Sequence, residues 1–341
     1  MRAWLEIASF QNLCRAARRA AHGKRKTRSV ASFLERLEPE TLRLQDELER
    51  DAWRPSRPAT FTIHDPKLRQ ISAAPFRDRV VHHALVDPLE PLFEAALVPE
   101  TFACRRGKGT RAALIHAQEL VARFPWFLKL DVAKCFESID HAVVAEVLRG
   151  LGLEARVERL CLRILHGVEG RAAVGLPIGN LTSQWFANLV LGKLDRFALA
   201  LPGVEGYARY MDDFVLSGRF KSELRAANAA VARFLQDDLR LGLKQRATIL
   251  APSSQGLPFL GWRVHPGVLR VRRESLRHLR RRVRHRRWEL RTGRIDSERW
   301  IATLRAVSAH LAQGDTLALR RSWLGPLVHE QGSGFPTPRT A

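Results

Sequence analysis

The stretch Tyr207–Gly218, YARYMDDFVLSG, decides how the rest of the chain is read. Strand-forming residues flank Asp212 and Asp213, so two short strands meet at an acidic turn. Aspartate is a common turn residue, and from this stretch alone a solvated turn explains the pair as well as a bound cation does. A second acidic position lies upstream. WFLKLDVAKCFESID, residues 126–140, reads as a buried strand through Phe127, Leu128 and Leu130 that ends at Asp131, with a turn and a helix start beyond. If these strands are neighbours in one antiparallel sheet, Asp131, Asp212 and Asp213 converge on one rim. Like charges so placed repel unless divalent cations neutralise them.

Mg²⁺ suits such a rim, because it is held by one or two carboxylates plus substrate phosphates rather than by an all-protein cage. Two ions about 3.5–4 Å apart can activate a hydroxyl nucleophile and stabilise a leaving pyrophosphate.

The composition points to a polyanion. The chain has 341 residues, long enough for two or three subdomains, and a net charge of +22. That excess is larger than solubility requires and makes nucleic acid the expected partner. Arginine greatly outnumbers lysine, which favours planar phosphate contacts, although codon bias produces the same skew. Cys14, Cys104, Cys135 and Cys161 are too scattered for a zinc site or a disulfide framework, in keeping with a reducing cytoplasm. No signal-peptide pattern and no bilayer-spanning apolar run is present, so no membrane partner is expected.

Residues 1–55 read as a basic helical extension, with RAARRAAHGKRKTR between two amphipathic segments. A Pro-punctuated strand pair, FTIHDPKLRQISAAP, is followed by a helix in FRDRVVHHALVDPLEPLF and a basic loop with Arg105, Arg106 and Lys108 suited to phosphates. Helices are expected over roughly 141–166. The loop GLPIGNLTSQ opens another, with Asn180, Thr182 and Ser183 available as caps. A helix over 221–239 and one short strand in FLGWRV come next, and the tail GSGFPTPRTA reads as disordered. After Pro266 the composition changes: 12 arginines and two glutamates lie between Arg270 and Arg294. Their charges surround a helix, so no single face stands out. Their mutual repulsion favours a nucleic-acid contact, through Arg273, Arg277, Arg280, Arg281 and Arg284. Trp288, Trp300 and Trp323 are expected to pack a small core there.

In this hairpin context YMDD resembles the active-site motif of reverse transcriptases, and LKLDVAKCF resembles their preceding motif, an Asp followed five residues later by an aromatic. The order also matches: the Asp131 motif, the LPxGxxxSQ loop, YMDD, then FLGW. The resemblance implies an α+β right-hand polymerase, with fingers over 56–125, an antiparallel-sheet palm over 126–265 that includes finger–palm helices at 141–205, and a small helical thumb over 266–329. It implies two Mg²⁺ ions, or Mn²⁺ as a substitute, on Asp131, Asp212, Asp213 and the Val132 carbonyl. Phe136 would meet the sugar of the incoming nucleotide and exclude a 2′-hydroxyl. Lys67 and Arg69 would clamp the triphosphate, and Ile178, Gly179, Gln184 and Tyr210 would line the nucleotide site.

The version GLPIGNLTSQWFAN, with FRDRVVHHAL, GKGTRAAL and SQGLPFLGW, is similar to the reverse transcriptases of diversity-generating retroelements, which copy a template RNA into mutagenised cDNA. Residues from about 10 to 265 take part. That subtype implies no endonuclease or DNA-binding segment after the thumb, and none is expected. Expected partners are template RNA, the RNA/cDNA duplex, deoxynucleoside triphosphates and a small basic accessory variability protein. Another bacterial reverse transcriptase, antiviral or group II-like, is the alternative. A non-catalytic RNA-binding protein on the same fold is a more distant one, opposed by the intact aspartates. One position departs from the family: LKQRATIL carries Ala247 where relatives have a lysine suited to protonating pyrophosphate, with Lys244 and Arg246 nearby. Arginine is a poor proton donor.

Overall fold

The computed structural model describes residues 2–64, 68–168 and 173–329. The amphipathic N-terminal pattern becomes α1 (Arg2–Ile7), α2 (Phe10–Ala20), α3 (Arg28–Glu35) and α4 (Leu37–Glu49). Leu13, Ala16, Ala17, Phe33 and Leu44 are buried, whereas 22–29 stay exposed, so the basic block is carried on a packed scaffold. The Pro-punctuated segment forms the antiparallel hairpin β1 (Ala59–His64) and β2 (Leu68–Ala73), followed by α5 (Phe76–Ala95) and α6 (Thr110–Arg123). Lys67 lies outside the described residues, as does the tail 330–341.

The central sheet has the order β4-β5-β3-β6, from β3 (Trp126–Asp131), β4 (Gly206–Tyr210), β5 (Asp213–Gly218) and β6 (Ile249–Pro252). Both of its faces are covered, so its strands read as nearly continuous apolar runs. Leu128, Leu130, Phe214 and Leu216 join the large core shared with the N-terminal helices and α5. The alternate residues Phe127, Ala208 and Val215 join a second core under α6. Between β3 and β4 lie α7 (Cys135–Ser138), α8 (His141–Gly150), α9 (Ala155–His166) and α10 (Leu181–Leu199), and α11 (Lys221–Leu239) follows β5.

FLGWRV is two strands rather than one. β7 (Leu257–Phe259) and β8 (Trp262–His265) turn at Leu260-Gly261, where Gly261 has φ +86°, and β9 (Val268–Val271) completes a separate three-stranded sheet. That sheet crosses the boundary expected at Pro266. The helices α12 (Arg273–Arg291), α13 (Ser297–Leu311) and α14 (Leu317–His329) then pack around Val283, Trp300, Leu304, Val307 and Leu311. Trp300 is buried and Trp323 packs at the core's edge, as expected. Trp288 does not: it is 44% exposed, with the Arg294 guanidinium 4.3 Å from its ring centre. Among the described residues no helix is long and apolar enough to cross a membrane.

Candidate active site

Strand register builds the site. β3 and β5 pair antiparallel with Asp131 directly opposite Asp213, and β4 pairs β5 with Tyr210 opposite Asp213. Side chains alternate along a strand, so Asp131, Lys129 and Phe127 share a face of β3, as Asp213 and Val215 do on β5. Further along the sheet that face is the second core; at its end it carries the carboxylates. Like charges directly opposite each other destabilise a sheet. Here they are kept.

The loop between β4 and β5 is only Met211-Asp212, and Met211 takes φ 56°. Two-residue hairpin loops require such left-handed backbone, usually supplied by glycine or asparagine. A methionine there is strained, a condition that collects at functional sites. The Val132 amide donates to the Asp212 carbonyl at 3.0 Å, tying the turn to the end of β3. On the other side of β3, Lys244 N–H donates to the Asp131 carbonyl at 2.9 Å and Ala133 N–H to the Gly242 carbonyl at 2.8 Å. Residues 131–133 therefore have hydrogen-bonded neighbours on both sides. Because N–H and C=O of one strand residue point the same way, the Val132 carbonyl faces the Asp212 side.

Two lysines offset the carboxylates. Lys129 Nζ lies 2.6 Å from Asp213 Oδ1 with both side chains largely buried, and Lys244 Nζ lies 3.7 Å from Asp131 Oδ1 at the solvent edge. Burial pushes the Asp213 carboxyl up to about 6; Asp131 and Asp212 push in the same direction, and Lys129 opposes them. Asp131 and Asp212 are thus both within electrostatic reach of Asp213. Among the described residues, no three His, Cys, Asp or Glu side chains close around a common point as a metal cage would. The donor set fits an ion that takes one or two carboxylates and completes its shell with phosphate and water.

Phe136 and β2 meet at the loop before α10. Leu176 N–H donates to the Phe136 carbonyl at 2.6 Å, so half-buried Phe136 and the Leu176–Gly179 loop are neighbours. Gly175 has φ +93°, and a Cβ there would meet the Glu137 carbonyl oxygen at 3.1 Å, so this close approach requires glycine. Gly179 has φ +107° beside Ile71 of β2, which joins the loop to the β1–β2 hairpin. Ile178 and Gln184 are half-buried. Asn180 stands at the N-cap position, but its side chain accepts from the Ala74 amide at 3.3 Å instead of capping α10. The Tyr210 hydroxyl accepts from Thr110 at 3.3 Å. Arg69 pairs with Ile63 in the hairpin backbone.

Of the three cations in the basic loop, Arg105 is turned inward. Its Nε bonds Glu94 at 2.6 Å and its Nη1 bonds the Val98 carbonyl at 2.6 Å, with the side chain 8% exposed, so it clamps the loop and cannot reach a phosphate. Arg106 remains exposed while pairing with Glu90 at 2.6 Å, and Lys108 Nζ donates to the Pro99 carbonyl. On α12 the outcome is the reverse. Arg273, Arg277, Arg280, Arg281 and Arg284 are all exposed on α12 at spacings that share one face. Four of them, Arg277, Arg280, Arg281 and Arg284, line a groove of about 720 Å³ with Trp323. The buried Val283 orients that face outward.

Sequence reading missed Arg209 and Asp195. Both are fully buried, and Arg209 Nε and Nη2 hold the two Asp195 oxygens at 2.5 and 2.7 Å. A lone arginine in a buried strand and a lone aspartate in the apolar WFANLVLGKLDRFAL would each be prohibitively costly, and that mutual need is the available signal.

Comparison with known proteins agrees with this geometry. The reverse transcriptase (RNA-dependent DNA polymerase) family matches residues 63–264. The chain is 23% identical to Protein YkfC of Escherichia coli over 67% of this chain and 72% of that protein. It is 21% identical to the group II intron-encoded protein LtrA of Lactococcus lactis over 61% of this chain, and spans only 45% of LtrA's length. In fold it is similar to apo telomerase from Candida tropicalis, with TM-score 0.52 and 10% identity over 65% of this chain and 49% of that one. With more than half its length matched and the paired acidic strands in place, the chain belongs to the reverse transcriptase (RNA-dependent DNA polymerase) family.

Proposed function

We propose that the chain makes error-prone cDNA from a template RNA for a diversity-generating retroelement, by two-metal nucleotidyl transfer. The observation that carries the polymerase chemistry is the register that sets Asp131 opposite Asp213 beside the Met211-Asp212 turn. Asp131, Asp212, Asp213 and the Val132 carbonyl would hold Mg²⁺, with Mn²⁺ as a substitute. Bound there, the two ions would lower the pKa of the primer 3′-hydroxyl and offset charge on the leaving pyrophosphate. Lys129 orients Asp213. Phe136 meets the sugar, and Ile178, Gly179, Gln184 and Tyr210 shape the nucleotide site, with Lys67 and Arg69 on the triphosphate. With Ala247 at the usual lysine position, Lys244, 3.7 Å from Asp131 and open to solvent, is the lysine suited to protonating pyrophosphate, since Lys129 is buried against Asp213. Template RNA, the RNA/cDNA duplex and an accessory variability protein are the partners of this reading, and the α12 groove is the surface suited to duplex phosphates.

The retroelement subtype rests on Ile178-Gly179-Asn180 and its surrounding segments. The similarity to a group II intron-encoded protein favours a second reading, a group II-like bacterial reverse transcriptase. Primer extension on an RNA template containing all four bases, followed by sequencing, separates them: errors concentrated at template adenine support the first reading and uniform accuracy the second. Asp212→Asn tests the chemistry beneath both. It should abolish Mg²⁺-dependent extension and leave RNA affinity nearly unchanged, and full extension by the folded variant would refute the metal assignment.

A further inference from the structure

The acidic turn is gripped from beneath. Tyr207 and Arg209 of β4 point to the sheet face covered by α10, opposite the carboxylates. There the Arg209 guanidinium spans two elements. Besides its two bonds to Asp195, it donates through Nη1 to Asn188 Oδ1 at 3.0 Å and to the Met211 carbonyl at 3.2 Å. Asp195 also accepts from Thr101 at 2.7 Å and from the Tyr207 hydroxyl at 2.6 Å. Asn188 Nδ2 donates to the Ala103 carbonyl at 2.8 Å. A buried ion pair contributes little stability compared with well-packed apolar residues of the same size. What it supplies here is a fixed direction.

That direction bears on Asp212. The carbonyl before Asp212, that of Met211, is held by Arg209, and Asp212's own carbonyl is held by the Val132 amide at 3.0 Å. The two peptide units of the turn are thus pinned from different elements, and Met211 is kept at φ 56°. Backbone in this region costs about 1–3 kcal/mol and persists only where its surroundings over-determine it. Through Asn188 and Asp195 the same guanidinium ties the turn to α10, the helix that starts at Leu181 directly after Ile178-Gly179-Asn180.

We propose that Arg209 is a positioning residue that locks the Met211-Asp212 turn onto α10, so that Asp212 is preorganised for metal and moves as one body with the nucleotide-side loop. This rests on the metal site proposed above. Arg209→Lys keeps the buried charge but loses the planar fork that serves Asp195, Asn188 and the turn together. The double variant Arg209→Met/Asp195→Asn removes both charges, keeps an acceptor for Tyr207 and releases the Met211 carbonyl.

The test measures Mn²⁺ bound to each protein in a complex with RNA template, 3′-deoxy-terminated primer and the next deoxynucleotide, by loss of the free Mn²⁺ EPR signal. Mg²⁺-dependent extension and thermal melting are recorded alongside. Losing a hydrogen bond from a charged group at a pinned turn weakens the site by about tenfold. The expected result is therefore Mn²⁺ affinity at the aspartate site lowered about tenfold in both variants, extension partly restored by raised Mg²⁺, and template–primer affinity unchanged. Unchanged Mn²⁺ affinity in either folded variant would overturn the proposal. So would failure of both variants to fold, which would make Arg209 a core residue only. Asp212→Asn supplies the baseline. If it binds Mn²⁺ like the wild type, the metal reading itself fails, whereas its loss of Mn²⁺ with unchanged Arg209 variants refutes only the role of Arg209.

Discussion

Replacing Arg277, Arg280, Arg281 and Arg284 with glutamine removes the four guanidinium groups that line the α12 groove. Each phosphate contact releases counterions and adds about 0.7 to 0.9 to the slope of log affinity against log salt. If each arginine meets one phosphate, the slope falls by about 2.8 to 3.6. Between 50 and 200 mM salt the wild type should then lose about 50- to 150-fold more affinity for an RNA/DNA template–primer than the variant does. Fluorescence anisotropy with a labelled duplex across a salt series measures this directly. Arg286→Gln is the control, because Arg286 already pairs with Glu289 at 2.8 Å on the same helix and should leave the slope nearly unchanged. A slope that stays put in the quadruple variant would refute the assignment of the groove to duplex phosphates. A fall of equal size per charge removed for Arg286→Gln, about a quarter of that in the quadruple variant, would show that total charge matters and the groove does not.

Phe136→Val should raise incorporation of ribonucleotides relative to deoxynucleotides by about tenfold or more, since the ring that would meet a 2′-hydroxyl is gone; an unchanged ratio on one template would return Phe136 to packing alone. Ile178→Gln should lower errors opposite template adenine by about tenfold, because shape alone discriminates by only ~1–3 kcal/mol. Equal error rates in sequenced cDNA would remove Ile178 from fidelity. The Asp213 carboxyl, raised from 3.8 to about 6, gives a pH-dependent stability in the absence of divalent metal. Its burial costs nothing while both states are protonated below about 3.8, and the penalty grows as only the unfolded chain ionises. It is complete above about 6, at about 3 kcal/mol. Urea unfolding in chelator from pH 4 to 8 should show this decline in the wild type but not in Lys129→Met/Asp213→Asn; parallel curves would count against it.

The candidate site of the chain was written locally. YMDD between apolar strands, an aspartate ending a buried run and the order of the intervening loop are all short-range patterns, so Asp131, Asp212, Asp213 and the helix over 221–239 were legible as sequence. Properties that depend on residues far apart in the chain were not. Arg105 and the α12 arginines are alike in sequence, yet a glutamate and three backbone carbonyls draw Arg105 inward, while the packing of Val283 leaves Arg277 and Arg280 exposed. FLGWRV read as one strand because its apolar run continues through Leu260-Gly261, where only the positive φ of both residues reveals a turn. Arg209 and Asp195 were invisible as a pair because a buried charge is tolerable only with its partner, and that partner comes from another element once the sheet has closed onto α10. Sequence alone determined which groups are the candidates for the chemistry. Tertiary structure decided which charges face solvent, which face each other, and what holds the acidic turn in place, because desolvation and hydrogen bonding are set by neighbours the chain brings together only on folding.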